Sequence, residues 1–450
     1  MDRSGCSERE STRTSREVID VAPGRPIAPS IAVALLTGGI DLHYAFGLAL
    51  ALVSQGSYLD IIGSDELVCP AFFGKKEISY RNLRGSQRQD VTLVQKVFRV
   101  GRYYAKLIRY AASAKPKIFH ILWNNRLESF DRTALMLYYK LLGKRIVLTA
   151  HNVNAGQRDS NDTLINRLTL RIQYRLADHI FVHTERMKRE LVEEFHVSKN
   201  RVTVIPYGIN NSVPNTQLTT KEAKARLGIR EGERTILFFG RITPYKGLEH
   251  LIEAFRQLRI RHDEYRLIIA GKPDRCDEYW NTIRGGIRDE VEKGHVLLQA
   301  DFIPDDETEV YFKAADVFVL PYRAIFQSGV LFLGYSFGLP VLASDVGSLR
   351  DDIVEGKTGF VFRPEDPVDL ARAAEDYFAS DLYTDLDRRR PDLLHHMTER
   401  HSWDVVGQLT KRVYAALLDI TLPEELSRCA GSTPSPDRHS DSCDHSGVRP

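Results

Sequence analysis

Short runs too apolar to have a wet face, each followed by a longer amphipathic stretch, constrain this chain more than any other feature. IAVALL (31–36), YLDII (58–62), KIFHIL (117–122), RIVLTA (145–150) and HIFVHT (179–184) are strand-like. Helical patterns stand between them, such as VTLVQKVFRVGRYYAKLIRYAASA, whose apolar residues recur at every third and fourth position. Strands apolar on both faces that alternate with helices predict a parallel sheet covered on both sides. The series then repeats with TILFFG (235–240), RLIIA (266–270), HVLLQ (295–299), VFVLP (317–321), PVLAS (340–344) and GFVF (359–362).

Two such series predict an α/β chain of two doubly wound, Rossmann-like domains facing a cleft, and 450 residues suit two domains of roughly 200 each. The first domain is expected over 29–207 and the second over 223–400. The polar, aperiodic segment GINNSVPNTQLTT places a linker at 208–222. A last helical stretch, 401–426, is free to cross back to the first domain. Residues 1–28 and 427–450, rich in Ser and charge, read as a disordered leader and tail. Ligands of such folds bind at the carboxyl ends of the strands, so residues just after each strand are the candidates for function.

A net charge of +2 supplies no global field for a nucleic acid. The five cysteines are scattered without a C-x-x-C pair, which fits a reducing cytosol and excludes a zinc ribbon. The N-terminus has no apolar core of a signal peptide, and no apolar run reaches ~18 residues. A cytoplasmic protein is expected, at most peripheral on the inner face of the plasma membrane. Charge is uneven, with 17 Lys/Arg against 4 Asp/Glu between Ala71 and Ile146. That basic run interleaves with Tyr and Leu, which reads either as a solvated helix face or as a surface for anionic lipid.

Four segments carry candidate chemistry. In FFGRITPYKG a strand ends at Gly240, and Arg241 and Lys246 flank a loop that leads into a helix, a favourable seat for a diphosphate. In QSGVLFLGYSFGLP, Ser328 reads as an N-cap, Gly329 admits close approach, and Gly338-Leu339-Pro340 ends a helix apolar nearly all round. Solvated loop charges and an ordinary capped core helix are the plainer alternatives. In LTAHNVNAGQRDSND, His151 follows a strand and so faces the cleft; Asn154, Arg158 and Asp162 are candidates for an acceptor-side wall, with Asp159 and Asp162 also readable as helix caps. In LLTGGIDLH, Gly38 and Gly39 permit tight passage beside a sugar or phosphate, and His43 sits on the first turn of the next helix.

GRITPYKG, SGVLFLGYSFGLPVLAS and VGSLRDDIVEGKTGFVF, in that order, resemble the donor half of retaining glycosyltransferases of family 4, which have the GT-B fold. The resemblance covers about residues 30 to 420. It implies that Arg241 and Lys246 contact the diphosphate of a nucleotide-sugar donor. The amides of Ser328, Gly329 and Val330 would hold its distal phosphate. It also implies that, in the His151–Asn152 pair, His151 lies near the transferred sugar, and that Gly208 lies at the hinge. Asn152 and His43 are expected on the acceptor side. Gly271 and Lys272 would lie near phosphate or ribose, and Phe302 and Ile303 beside the base. The family's two glutamates in the second segment are replaced here by Ile325 and Leu333, as in a subset with Q/S-S-G-V, leaving Gln327 or Tyr322 to meet sugar hydroxyls. Attack from the face the nucleotide leaves needs positioning and charge stabilisation, not a protein nucleophile. With no D-x-D at a strand end, no metal and no cofactor are expected beyond the donor itself. The expected acceptor is a saccharide or lipid-linked saccharide. A nucleotide-sugar epimerase of the same fold and an inert, partner-binding relative are the alternatives.

Overall fold

The first series of apolar runs forms a seven-stranded parallel sheet in the order β3-β2-β1-β4-β5-β6-β7. Its strands are β1 (Ala32–Leu36), β2 (Tyr58–Gly63), β3 (Ile78–Asn82), β4 (Ile118–Ile121), β5 (Arg145–Thr149), β6 (His179–Val182) and β7 (Val202–Val204). The second series forms a six-stranded parallel sheet in the order β10-β9-β8-β11-β12-β13. Here the strands are β8 (Arg234–Phe239), β9 (Tyr265–Ala270), β10 (Val296–Gln299), β11 (Val317–Leu320), β12 (Val341–Ser344) and β13 (Gly359–Phe362). This computed structural model describes residues 30–39, 41–88, 92–158 and 162–423, the side chains of Gln157 and Arg158 apart. The expected leader, residues 424–426 and the expected tail lie outside those residues, as does Asp159.

Neighbouring residues of one strand enter different cores, which is why the runs carry no polar face. Leu237 packs on one side of the second sheet, while Ile236 and Phe238 pack on the other. In the first sheet, central β1 pairs Val33 with Leu59 of β2 and with Ile118 of β4. Both sheets reverse their strand order beside their first strand, between β1 and β4 and between β8 and β11. Those crevices are where open α/β sheets bind ligands.

Two strands were not expected from the sequence. β3 lies inside the basic run 75–89, on a sheet edge where its alternating polar side chains stay wet. β7 is three residues long, too short for a periodic signal. The expected linker, 208–222, overlaps a helix at Thr220–Arg226, which Thr219 and Glu222 cap reciprocally. That segment is packed rather than free: Ile209 and Val213 join the core of the second sheet.

The last helix, Trp403–Leu417, lies against the first domain's Leu42–Ser54 helix. Tyr414 hydroxyl meets His120 Nδ1 at 2.5 Å, and Lys411 Nζ donates to Gln55 O. Where this helix leaves the second domain, it runs beside the chain's other passage between domains. Ile209 N donates to His401 O at 3.0 Å, and Trp403 Nε1 donates to Ile209 O at 2.7 Å.

Candidate active site

The second sheet contributes an unequal pair of cations. β8 ends at Phe239 and is followed by Gly240, whose φ of 104° only glycine holds without strain. The chain then passes through Arg241 to a 3-10 turn, Pro244–Lys246, that precedes the Leu248–Arg261 helix. Lys246 folds back beneath the strand end. Its Nζ lies 2.9 Å from the place a Gly240 Cβ would take, and 5.4 Å from the centroid of the Tyr322 ring. Among the described residues no carboxylate lies within 4 Å of it. Burial, with Arg241 adding repulsion, pulls its pKa down to about 7. Arg241 is the opposite case: its side chain is 71% exposed and pairs with Asp274 at 3.1 Å. An exposed pair of this kind is worth ~0–1 kcal/mol, so a stronger anion can take Arg241 from Asp274.

QSGV opens its helix differently from the expected cap. Ser328 holds the N-cap position of Gly329–Ser336, but its side chain bonds none of the helix amides. The hydroxyl instead sits 3.4 Å from that of buried Tyr322. Among the described residues, no acceptor takes the amides of Ser328, Gly329 or Val330. Val330 lies over Gly240, its Cγ2 3.6 Å from the place of a Cβ there, so strand end and helix start share one wall. A Cβ on Gly329 would come within 2.7 Å of the Tyr207 hydroxyl, so the small residue makes room for the chain itself.

Gln327 does not remain for sugar hydroxyls, as expected of it. Its Nε2 donates to Asp352 Oδ2 at 2.9 Å, and its Oε1 accepts from the Ser348 hydroxyl. Burial raises Asp352 to about 7. The two positions of the missing glutamates hold Leu333, in the core, and partly buried Ile325.

The first sheet builds the other part around His151. Its ring stacks on Trp123 at 4.1 Å with 4° between planes, and meets the Tyr44 ring edge-on at 4.6 Å. Its Nδ1 lies 3.1 Å from His183 Nε2, and His183 Nδ1 lies 3.3 Å from Ile205 O. A carbonyl only accepts, so His183 donates from Nδ1 and accepts at Nε2. His151 therefore donates from Nδ1, leaving Nε2 as a bare lone pair. That Nε2 is shielded from solvent and has no partner, and neither has Asn152 Oδ1 next to it. Burial, then the neighbouring imidazoles His183 and His120, hold His151 neutral, well below its ordinary pKa. Two adjacent, unpartnered acceptors call for hydroxyl donors, since a buried acceptor left alone costs ~1–3 kcal/mol.

Gly38 and Gly39 follow β1 with φ of 64° and 73°. A Cβ on Gly38 would strike Trp123, and one on Gly39 would meet Arg84. The other expected residues divide. His43 is not an open wall: Nδ1 meets Ser212 Oγ at 2.5 Å and Nε2 lies 3.6 Å from Asp305, joining the first domain to the second. Asn154 is buried and accepts from Asn166 Nδ2 at 2.9 Å, so it supports the loop from within. Asp162 caps no helix; Thr163 does, while Asp162 holds Asn166 and Arg167. Arg158's side chain is outside the described residues. Gly271 has no room for a Cβ, which would strike Gly240 O; Lys272 is exposed, Phe302 is largely exposed and Ile303 is buried. Trp123, His183, Tyr207 and Arg84 were missed. The first two sit one or two residues past a strand end, which was the available signal.

No described helix is long and apolar enough to cross a membrane. Among known families, the Glycosyltransferase Family 4 model matches residues 43–213, and the model for glycosyl transferases group 1 matches 233–380. An uncharacterized glycosyltransferase of Methanocaldococcus jannaschii is 27% identical over 242 residues, 52% of this chain and 59% of that one. A D-inositol 3-phosphate glycosyltransferase of Corynebacterium aurimucosum is 26% identical over 298 residues, 62% of this chain and 68% of that one. The matches thus span roughly half to two thirds of these relatives' lengths, 52% for the Streptomyces avermitilis enzyme of the same name. In fold, the chain resembles sucrose-phosphate synthase from Thermosynechococcus elongatus, with TM-score 0.66, 18% identity, and coverage of 86% and 99%. It also resembles Anabaena HepE solved with UDP-glucose, with TM-score 0.65, 13% identity, and coverage of 86% and 100%.

Proposed function

The chain is a glycosyltransferase of GT-B architecture, with a family 4 domain followed by a group 1 domain, and from that premise we propose that it transfers a sugar from a nucleotide-diphosphate donor with retention of configuration. The acceptor in this reading is a saccharide or lipid-linked saccharide of polysaccharide or glycolipid biosynthesis. The observation that carries the proposal is the buried, unpaired Lys246 ammonium beneath the Gly240 strand end. A buried cation without a partner is costly, and a diphosphate is the anion that both it and the Ser328–Val330 amides suit. HepE's structures with UDP and UDP-glucose support a donor of that class.

In the proposed reaction, Lys246, the helix amides and Arg241 (once freed from Asp274) stabilise charge on the departing diphosphate. The leaving phosphate takes the proton of the acceptor hydroxyl, which attacks from the same face. His151 Nε2 and Asn152 Oδ1 accept hydrogen bonds from hydroxyls of the transferred sugar and so fix its angle of approach. The acceptor enters along the Gly38–Gly39 turn of the first domain. No carboxylate stands at Ile325 or Leu333, so positioning carries the reaction, and it proceeds without a divalent metal. Contact with a membrane belongs to the Leu93–Ser113 helix, whose first turns expose Leu93, Val94, Val97 and Phe98 beside Lys96 and Arg99. An apolar patch ringed by cations suits an anionic bilayer surface.

A panel of nucleotide sugars, followed by nucleotide release with and without acceptor, tests the activity. Acceptor-dependent release, undiminished in EDTA, is expected. A sugar altered without release would replace transfer by epimerisation, and silence with every donor would favour the inert relative. His151→Gln is expected to lower kcat about 100-fold while leaving nucleoside-diphosphate affinity unchanged, because it acts on the sugar alone.

A further inference from the structure

Between the first half of the Leu93–Ser113 helix and the loop after β3 lies a cavity of about 1000 Å³. Arg84, Arg88, Arg99, Arg102 and Lys106 line it, with Tyr103 at its side. Among the described residues, no carboxylate lies within 4 Å of any of these cations. Two acids on the same wall are already engaged: Asp65 accepts from Asn82 and Glu66 from the Gln87 amide. Among the described residues these five cations thus have no direct ion pair. Although Glu66 offsets part of the charge of Arg99 and Asp131 part of that of Arg84, the surplus positive charge around one concavity gains when an anion enters.

Two of the five are held in place. Arg99 donates to Ser86 O at 2.9 Å and Arg88 O at 3.1 Å. Arg84 Nη2 donates to Asn125 Oδ1 at 2.6 Å, and its guanidinium lies 4.6 Å over the Tyr103 ring. Asn125 is held in turn, donating to buried Asp131 at 3.1 Å and accepting from the Tyr103 hydroxyl at 2.5 Å. The other end of the guanidinium, Nη1, is thereby aimed at Gly39, 2.9 Å from the place of a Cβ there. Gly38, next to it, abuts Trp123, on which His151 stacks. Arg84 thus lies between the cavity and the glycine turn that abuts Trp123 and, through it, His151.

We propose that this cavity is a phosphate-recognising subsite, and that the acceptor carries a phosphoryl group seated there while its hydroxyl reaches the donor. The assignment rests on the reading of the first domain as the acceptor side. A carboxylate would be satisfied by one guanidinium fork, whereas cations converging from a loop and a helix suit a tetrahedral group with several charged oxygens. Such a group can come from a soluble sugar or polyol phosphate or from a lipid headgroup, and the two are separable.

The test is binding by the full chain in a Lys246→Ala/Arg241→Ala background, which removes both cations of the second domain's diphosphate seat. Inorganic phosphate is titrated calorimetrically, and vesicles of phosphatidylcholine with or without phosphatidylglycerol are co-sedimented. Arg84→Gln, and separately Arg102→Gln/Lys106→Gln, are expected to weaken binding about tenfold. The control pair Lys75→Gln/Lys76→Gln, outside the cavity, is expected to leave it unchanged. Binding of inorganic phosphate assigns a soluble source, and binding of phosphatidylglycerol vesicles alone assigns a headgroup. Absence of binding to both probes, equal binding by parent and cavity variants, or an equal loss in the control pair each overturns the proposal. None of these readouts involves transfer, so failure of the transferase reading would show separately, in nucleotide release.

Discussion

Lys246 concentrates the energetics of the candidate site in one atom. Its ammonium is buried, has no carboxylate partner, and is held near neutrality at a pKa of about 7. An arriving diphosphate favours the charged form, so binding should take up a proton. Nucleoside-diphosphate affinity is expected to fall as pH rises through about 7 to 9, and titration in buffers of different ionisation enthalpy measures the uptake. The same shift has a consequence for stability. The unfolded side chain, with a pKa near ~10.4, binds more protons than the folded one between about pH 7 and 10, so this group's cost shrinks as pH rises through that window. Lys246→Met should therefore raise the unfolding temperature at pH 7 while reducing diphosphate affinity at least about 100-fold. A variant that lost stability, or kept its affinity, would contradict the assignment.

The Gly329–Ser336 helix shows how an element can be core along its body and still have its first amides unpartnered among the described residues. Its body is buried, with Leu331, Phe332 and Tyr335 in the core of the second sheet. Its start lies against Tyr207, which stacks on Phe332 at 5.0 Å and leaves no room for a Cβ on Gly329. Gly329→Ala would place its methyl 2.7 Å from the Tyr207 hydroxyl but 3.3 Å from Cζ. The substitution is thus expected to cost ~1–3 kcal/mol alone. Most of that cost should vanish when paired with Tyr207→Phe, which removes the oxygen. A double-mutant cycle on urea midpoints measures the coupling, and additive costs would show that the contact is unimportant.

Between the domains, the indole of Trp403 is the main filler. It donates to Ile209 O, meets Tyr44 at 5.4 Å, and occupies the space a Cβ on Gly47 or Gly208 would need. Those Cβ atoms would lie 2.1 and 2.3 Å from the ring. Trp403→Leu should destabilise the protein by about 3 kcal/mol, by loss of packing and of the hydrogen bond. Gly208→Ala should be severe in the parent and much milder in Trp403→Leu, where the ring is gone; thermal unfolding of the three variants decides it. His43, bridging to Ser212 and Asp305, and Phe326, packed against the core of the first sheet, join the halves elsewhere.

The local pattern of residues was enough for the two parallel sheets and the order of the glycine, cation and helix-start segments, because strand polarity and turn chemistry are written over a few adjacent positions. It was blind to an edge strand with wet side chains and to one of three residues, where the period has no room to register. The chemistry of individual side chains was settled at longer range. Arg241 and Lys246 look equivalent in FFGRITPYKG, yet Asp274 takes one and Tyr322 and Phe238 enclose the other. Gln327 looked free until Asp352 and Ser348 were placed at its two ends. The lone pair of His151 follows from His183, and the cation at Gly39 from the loop that follows the edge strand. Burial and hydrogen-bond direction depend on which residues arrive opposite, and those partners come from other elements of the fold, carrying no period or spacing that the chain could announce in advance.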